Sequence, residues 1–137
     1  MRRRSGVLAW IAVAMLFGAA TASAVGAERA SIPPLSPEEL SKAIGGGTWL
    51  IVEFGGEYCI PCMKMQPVLQ DLQLAVGKKA RIHNFWIQQH PDVARQHKIM
   101  AMPTQIVFNP KGEEVLRHMG YFPPEEFQAE LARLGLL

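Results

Sequence analysis

Residues 48–62 read TWLIVEFGGEYCIPC, and this stretch decides the fold. Its first seven residues, Thr48 to Phe54, are almost all apolar, which predicts a strand covered on both faces of a sheet. Cys59 and Cys62 follow at the predicted start of a helix, and the chain has no other cysteine. A Cys-X-X-Cys pair between a strand and a helix is typical of a redox-active disulfide.

The spacing of the two cysteines favours chemistry over structural support. The positive end of a helix stabilises the thiolate of the first cysteine. A disulfide between Cys59 and Cys62 would close so small a loop that it would restrict the unfolded chain very little. We therefore prefer a redox pair to a structural disulfide or half of a metal site, although the motif alone leaves both alternatives open.

The first 24 residues have the layout of a secretory signal peptide. Three arginines at positions 2–4 precede an apolar stretch over residues 7–20, and small residues follow over 22–24. The apolar stretch is short for a membrane-spanning helix, but a longer reading over 7–25 would leave it as an N-terminal anchor. We therefore expect a signal peptide or anchor over 1–24, a linker over 25–35 and a folded domain over 36–137. This arrangement predicts a periplasmic or otherwise exported protein.

The charge of the predicted mature chain gives no indication of a nucleic-acid partner. Residues 1–24 hold three of the fourteen basic side chains and none of the twelve acidic ones, so their removal changes the formal charge from +2 to −1. The remaining chain has no basic cluster with interleaved aromatic residues, which is the usual sign of a nucleic-acid interface.

Hydrophobic periodicity and turn residues predict eight elements after the linker, in the order α, β, α, β, α, β, β, α. The first helix begins at Ser36-Pro37-Glu38-Glu39, which combines a capping hydroxyl, a proline at the first helical position and a glutamate three residues after the cap. The predicted bounds are helix 36–44, strand 48–54, a helix from the cysteines to 77 kinked at Pro67, strand 81–87, helix 91–98, strands 104–108 and 114–119, and helix 124–134.

With these elements in place, the chain resembles the thioredoxin family over essentially all of residues 36–135. The resemblance rests on Glu53, the Cys59-Ile60-Pro61-Cys62 motif, Pro67, the Met102-Pro103-Thr104 segment and Gly120. Pro103 lies 41 positions after Cys62, which matches plain thioredoxins and leaves no room for the extra segment of cytochrome-c-maturation relatives. The resemblance implies an α/β thioredoxin fold, with a central mixed β-sheet flanked by helices.

The resemblance also assigns roles to four residues. Cys59 would be the exposed nucleophile, and Cys62 would resolve the mixed disulfide. Pro103 would be the cis-proline that faces the disulfide. Glu53 would be the buried acid that exchanges a proton with Cys62, because burial raises a carboxyl pKa toward neutrality. The alternative is that Glu53 reaches solvent at the strand end.

Some positions depart from the family pattern. The family usually has a lysine near the buried acid, and Asn84 stands there in this chain. Gly55 and Tyr58 replace tryptophans that are common in thioredoxins. These differences indicate a divergent exported relative rather than a housekeeping thioredoxin.

An apolar collar is expected around Cys59, formed by Tyr58, Ile60, Met102, Tyr121 and Phe122. Such a surface suits an extended polypeptide, so the expected substrates are protein disulfides. No cofactor is expected. The absence of a histidine between the cysteines favours a reductase over a disulfide oxidase or isomerase. An exported reductase needs electrons from outside its compartment, and we expect a membrane thiol carrier of the DsbD type as the donor.

A second function from a different class stays open, namely a Cu(I)-binding metallochaperone of thioredoxin fold. Soft thioether and thiolate ligands suit Cu(I), and five methionines lie in the predicted domain: Met63, Met65, Met100, Met102 and Met119. Methionine also fills irregular gaps in cores, which is the simpler explanation. The four histidines are dispersed along the sequence, and we predict no metal site from them.

Overall fold

The computed structural model describes residues 30–137. The predicted signal peptide or anchor over 1–24, and the first part of the predicted linker, lie outside the described residues. Four helices and four strands follow in the predicted order: α1 (Pro37–Ala43), β1 (Trp49–Gly55), α2 (Ile60–Val76), β2 (Ala80–Trp86), α3 (Pro91–Gln96), β3 (Thr104–Phe108), β4 (Glu114–Met119) and α4 (Pro124–Arg133). The thioredoxin fold that the sequence predicted is confirmed by this order and by the sheet described next.

The four strands form one mixed sheet in the order β2-β1-β3-β4. β1 pairs in parallel with β2 and antiparallel with β3, and β4 completes the hairpin with β3. β1 is central and is buried from Leu50 onward, as its apolar sequence predicted. The strand therefore ends in the interior, directly before the loop that carries the cysteines.

Helices cover both faces of the sheet. On one face, Ile51, Ile82 and Val107 pack with α2 and α4, which bury Leu69, Leu72, Phe127 and Leu131. On the other face, Leu50, Val52, Phe54 and Ile106 pack with Leu40 of α1 and Val93 of α3. Alternate residues of β1 thus enter two separate cores, because successive side chains of a strand point to opposite faces. Among residues 30–137, none of the helices is long and apolar enough to cross a membrane.

The segment just before α1 packs against the domain. Ile32 is buried, and Pro34 forms a parallel bridge with Asn84 on the outer edge of β2. The Leu35 N–H donates to the Asn84 carbonyl at 2.8 Å, and the Asn84 N–H donates to the Pro33 carbonyl at 3.1 Å. Residues 32–35 fall within the predicted linker, yet they cover an otherwise open strand edge.

Capping residues mark the start of α1 and the end of α2. The capping box at the start of α1 is confirmed, because Ser36 accepts from the Glu39 N–H and the Glu39 carboxylate accepts from the Ser36 N–H. α2 runs from Ile60 to Val76 with Pro67 inside it, and a kink at Pro67 stays a prediction. It ends at Gly77, which has a positive φ of 58°.

Candidate active site

The two cysteines form a disulfide at the N-terminus of α2, with their Cα atoms 5.2 Å apart. Cys59 is the N-cap residue, and its Sγ accepts a hydrogen bond from the Cys62 N–H at 3.3 Å. The helix forms here because Pro61 is well suited to the first turn, where no backbone donor is needed. The Cys59 sulfur therefore lies at the positive end of α2.

The two sulfurs differ in their access to solvent. Cys62 is 1% exposed and belongs to the core, whereas Cys59 is only partly buried between exposed neighbours. The Cys59 sulfur, as the helix cap, is placed to be stabilised as a thiolate after reduction. An incoming disulfide can therefore reach Cys59 more readily than Cys62.

Pro103 lies directly before β3, and the Met102–Pro103 peptide bond is cis. The Pro103 carbonyl accepts from the Gly120 N–H at 2.7 Å, which joins this turn to the loop after β4. A Cβ atom placed on Gly56 would lie 3.5 Å from the Met102 Sδ. Met102 and Pro103 are thus held beside the loop that leads to Cys59.

Glu53 is completely buried near the end of β1 and does not reach solvent. Its Oε1 accepts from Gln66 Nε2 at 3.2 Å, and its Oε2 lies 3.3 Å from the side-chain amide of Gln105. Burial raises the pKa of Glu53 to about 7, because the charged form loses its hydration, and the hydrogen bonds from the two amides offset only part of this. The carboxyl can therefore hold or release a proton near neutral pH.

The missing side chain of Gly55 lets the Cys62 sulfur pack closely against the end of β1, near Glu53. A Cβ atom at Gly55 would lie 2.9 Å from the Cys62 Sγ and 3.7 Å from the Glu53 Oε1. Both atoms therefore border the space that this glycine leaves free. The arrangement places a carboxyl with a nearly neutral pKa close to the buried sulfur.

The carboxyl belongs to a row of polar side chains that crosses the sheet. The strand register places Asn84 of β2 opposite Glu53, Gln105 of β3 opposite Glu53, and His118 of β4 opposite Gln105. Gln66 of α2 covers the row and also exchanges hydrogen bonds with Asn84, at 3.1 Å and 2.9 Å. Asn84 further donates to the Ile32 carbonyl at 2.9 Å. Amides therefore surround Glu53 where the family usually has a lysine.

Gln66 and Gln105 are site residues that were not predicted from the sequence. Two signals were available. Gln105 is polar within the buried strand TQIVF, and Gln66 lies four residues after Cys62 on α2, so it shares a helix face with that cysteine. A buried polar side chain needs a partner, and in both cases the partner is Glu53.

The predicted apolar collar needs one correction. Tyr58 and Ile60 are 86% and 69% exposed, Tyr121 is 44% exposed, and Met102 is partly buried. Phe122 is buried instead, because its ring stacks between His118 and Phe127 with centroids 3.8 Å and 4.3 Å away. Phe122 therefore belongs to the core and not to the exposed collar that was predicted, and it anchors the loop that carries Tyr121.

The methionines divide into core and surface groups. Met65 is fully buried, and its Sδ accepts from the Phe122 N–H at 3.3 Å, so it is committed to the core. Met63, Met100 and Met119 are exposed. Within residues 30–137, no three side chains from His, Cys, Asp and Glu are close enough to hold a metal ion.

A cleft of about 290 Å³ opens beside the buried sulfur. Its walls include Gly56, Cys62, Met63, Gln66, Asn84 and Trp86, together with the segment at Ile32. The cleft therefore gives access from the surface to the residues around Glu53 and Cys62.

Comparisons with known proteins agree with this geometry. A family model described as a thioredoxin-like domain matches residues 36–135. A thioredoxin from Alicyclobacillus acidocaldarius is 33% identical over 98 residues, which cover 72% of this chain and 92% of that protein. A thioredoxin from Staphylococcus epidermidis is 35% identical over 75 residues, covering 55% of this chain and 71% of that protein.

Solved structures agree as well. The oxidised form of mitochondrial thioredoxin 3 from Saccharomyces cerevisiae superimposes with a TM-score of 0.66 at 25% identity, covering 74% of this chain and 94% of that one. Chloroplastic thioredoxin z superimposes with a TM-score of 0.70 at 21% identity, covering 77% and 96% of the two chains, which shows a shared fold.

Proposed function

Because this chain belongs to the thioredoxin family and is a thiol–disulfide oxidoreductase, we propose that it reduces disulfides of exported proteins. The observation that carries this proposal is the contrast between the two sulfurs, with Cys59 accessible beside exposed apolar residues and Cys62 buried behind it. This contrast suits a protein that accepts a large disulfide substrate at one sulfur and protects the other until the second step.

The reaction proceeds by two exchanges. The Cys59 thiolate attacks one sulfur of the substrate disulfide, which forms a mixed disulfide and releases the other substrate sulfur as a thiolate. The Cys62 thiolate then attacks the Cys59 sulfur, which forms the Cys59–Cys62 disulfide and releases the second substrate thiol. The substrate gains two electrons and two protons, and the enzyme loses them.

Glu53 supports the second exchange. Cys62 must lose its proton before it can attack, although its burial disfavours the thiolate. The Glu53 carboxylate borders the same small space beside Gly55 as the Cys62 sulfur, and we propose that it takes this proton through one water molecule. A pKa of about 7 suits this task, because the group can accept and return a proton near neutral pH.

The direction of electron flow is proposed on chemical grounds. Cys59 and Cys62 enclose Ile60 and Pro61, and neither residue can add a positive charge that would stabilise the reduced form. The pair should therefore give up electrons more readily than a strongly oxidising disulfide does. In an exported protein, the oxidised pair must then be reduced again by a thiol donor, and we propose a membrane carrier of the DsbD type.

The experiment is a coupled reduction assay with the purified domain and insulin as the disulfide substrate. Electrons are supplied by dithiothreitol in one arm and by a reconstituted DsbD-type carrier in the other. We expect turnover in both arms and none with Cys59→Ser. Turnover with dithiothreitol alone would reject the proposed donor, and no turnover in either arm would reject the reductase.

A further inference from the structure

The side-chain amide of Gln105 lies between the carboxyl group of Glu53 and two backbone carbonyl oxygens. On one side, the Glu53 Oε2 is 3.3 Å away. On the other side, the carbonyl oxygens of His118 and Gly120 both lie 3.2 Å from the amide. An amide has one end that only donates and one that only accepts, so the same orientation of Gln105 cannot suit an ionised Glu53 and the two carbonyls.

The two orientations require different protonation states of Glu53. With its nitrogen toward Glu53, Gln105 donates to the carboxyl, but its oxygen then faces two carbonyl oxygens. After a half-turn, the nitrogen donates to the His118 and Gly120 carbonyls, and the oxygen faces the Glu53 Oε2. That second arrangement is favourable only when the Glu53 Oε2 is protonated, so that its O–H donates a hydrogen bond to the Gln105 side-chain oxygen.

We propose that Gln105 is a positioning residue whose side-chain amide rotates by half a turn when Glu53 gains or loses its proton. In the protonated state, Gln105 bridges the His118 and Gly120 carbonyls. In the ionised state, it releases them and donates to the carboxylate. The protonation of the buried acid is thereby transmitted to the loop after β4.

This loop borders the proposed substrate-binding surface. The Gly120 N–H donates to the Pro103 carbonyl at 2.7 Å, and Gly120 is followed by the exposed Tyr121. Gly120 has a φ of 90°, so its backbone adopts a conformation that favours glycine. A change in the hydrogen bonds at its carbonyl therefore acts next to Pro103 and Tyr121. The effect on substrate binding rests on the proposed function, whereas the rotation of the Gln105 amide does not.

The groups that face Glu53 make the coupling testable. Asn84 of β2 and Gln66 of α2 do not titrate, and no charged side chain in the described part of the chain contributes to the pKa of Glu53. Cys62 does not titrate while it is in the disulfide. His118 is the neighbouring titratable group, since it lies opposite Gln105 and its Nε2 is 3.1 Å from the Tyr121 carbonyl.

The test is a pH titration of the disulfide form, followed by the ¹³C chemical shifts of the Glu53 carboxyl and of the His118 and Gly120 carbonyls. We expect all three signals to move with one midpoint, and the Gly120 signal to move equally in His118→Gln. In Gln105→Leu, Glu53 should still titrate while the Gly120 carbonyl stays constant. A Gly120 carbonyl that stays constant in the parent protein, or that moves equally in Gln105→Leu, would overturn the proposal.

A kinetic readout tests the consequence for substrate. Between about pH 6 and pH 8, we expect the KM for a protein disulfide to change about fivefold in the parent, the size expected for one net hydrogen bond. It should stay nearly constant in Gln105→Leu. Equal changes in both proteins would overturn the link to the binding surface. The titration needs no substrate, so a failure of the reductase proposal would leave its result interpretable.

Discussion

The Glu53 carboxyl and the Cys62 sulfur both border the position that a side chain at residue 55 would occupy. A Cβ atom at Gly55 would meet both of them within 4 Å. Both groups are buried, and no charged side chain in the described residues contributes to the pKa of the carboxyl. In the proposed mechanism, this arrangement gives Cys62 a proton acceptor whose pKa is set by burial and by hydrogen bonds from two amides.

Substrate trapping distinguishes the roles of the two cysteines. Cys62→Ser should accumulate mixed disulfides through Cys59, because the accessible sulfur can still attack and nothing can resolve the product. Cys59→Ser is the matched control and should trap almost nothing, since Cys62 is 1% exposed. Non-reducing electrophoresis followed by mass spectrometry measures both. Equal trapping by the two variants would overturn the assignment of Cys59 as the nucleophile and Cys62 as the resolving cysteine.

Glu53→Gln should slow the resolving step. The amide has nearly the same shape as the carboxyl but cannot accept the Cys62 proton, and loss of a general base typically costs 10²- to 10⁴-fold. We expect the initial attack by Cys59 to change far less. Stopped-flow kinetics with a fluorescent protein disulfide separates the two steps. Unchanged resolution rates from about pH 6 to pH 9 would assign Glu53 a purely structural role.

Folding stability should depend on the same carboxyl. The pKa of Glu53 is raised from 4.5 to about 7 in the folded protein, so the folded state binds the proton more tightly than the unfolded state does. Stability is therefore highest below pH 4.5, falls as the pH rises to about 7, and is then constant with respect to this group. The total change is on the order of 3 kcal/mol.

Glu53→Gln is the control for this dependence. Urea unfolding of the disulfide form across this pH range should show the decline in the parent protein and a much flatter curve in the variant. Parallel curves for the two proteins would show that other groups cause the decline.

Part of this site could be predicted from sequence, because its features are local. The bounds of β3 and β4 follow from an apolar run, a turn at Asn109-Pro110-Lys111-Gly112 and a second run, and the structure has them where they were predicted. The disulfide between Cys59 and Cys62 follows from their spacing at a helix start.

The rest depends on contacts between residues that are distant in sequence. Tyr121 and Phe122 look equivalent in sequence, but only Phe122 can stack between His118 and Phe127. Gln105 is 52 positions from Glu53, so their contact follows only from the register of β1 and β3. Hydrophobic periodicity predicts where each strand lies in the sequence, but it does not predict which residues are paired between neighbouring strands.

Substrate choice should depend on the apolar collar. Met102→Asp places a charge beside Gly56, near the path to Cys59. An apolar segment of a protein substrate would have to remove water from this carboxylate in order to bind, which costs free energy. We expect kcat/KM for a protein disulfide to fall by about tenfold or more, with little change for oxidised glutathione. Leu74→Asp, which places the same charge at an exposed apolar position near the C-terminal end of α2, is the matched control. Similar rates for glutathione and protein disulfides in the parent protein would remove the recognition role of the collar.

The reduction potential of the Cys59–Cys62 pair tests the central claim most directly. It is measured by equilibrating the protein with glutathione buffers or dithiothreitol and quantifying the free thiols. A reductase should have a potential close to the roughly −270 mV of thioredoxin, so that electrons flow from the enzyme to substrate disulfides. A potential close to the roughly −120 mV of DsbA would contradict the account, because the disulfide form would then oxidise its substrates.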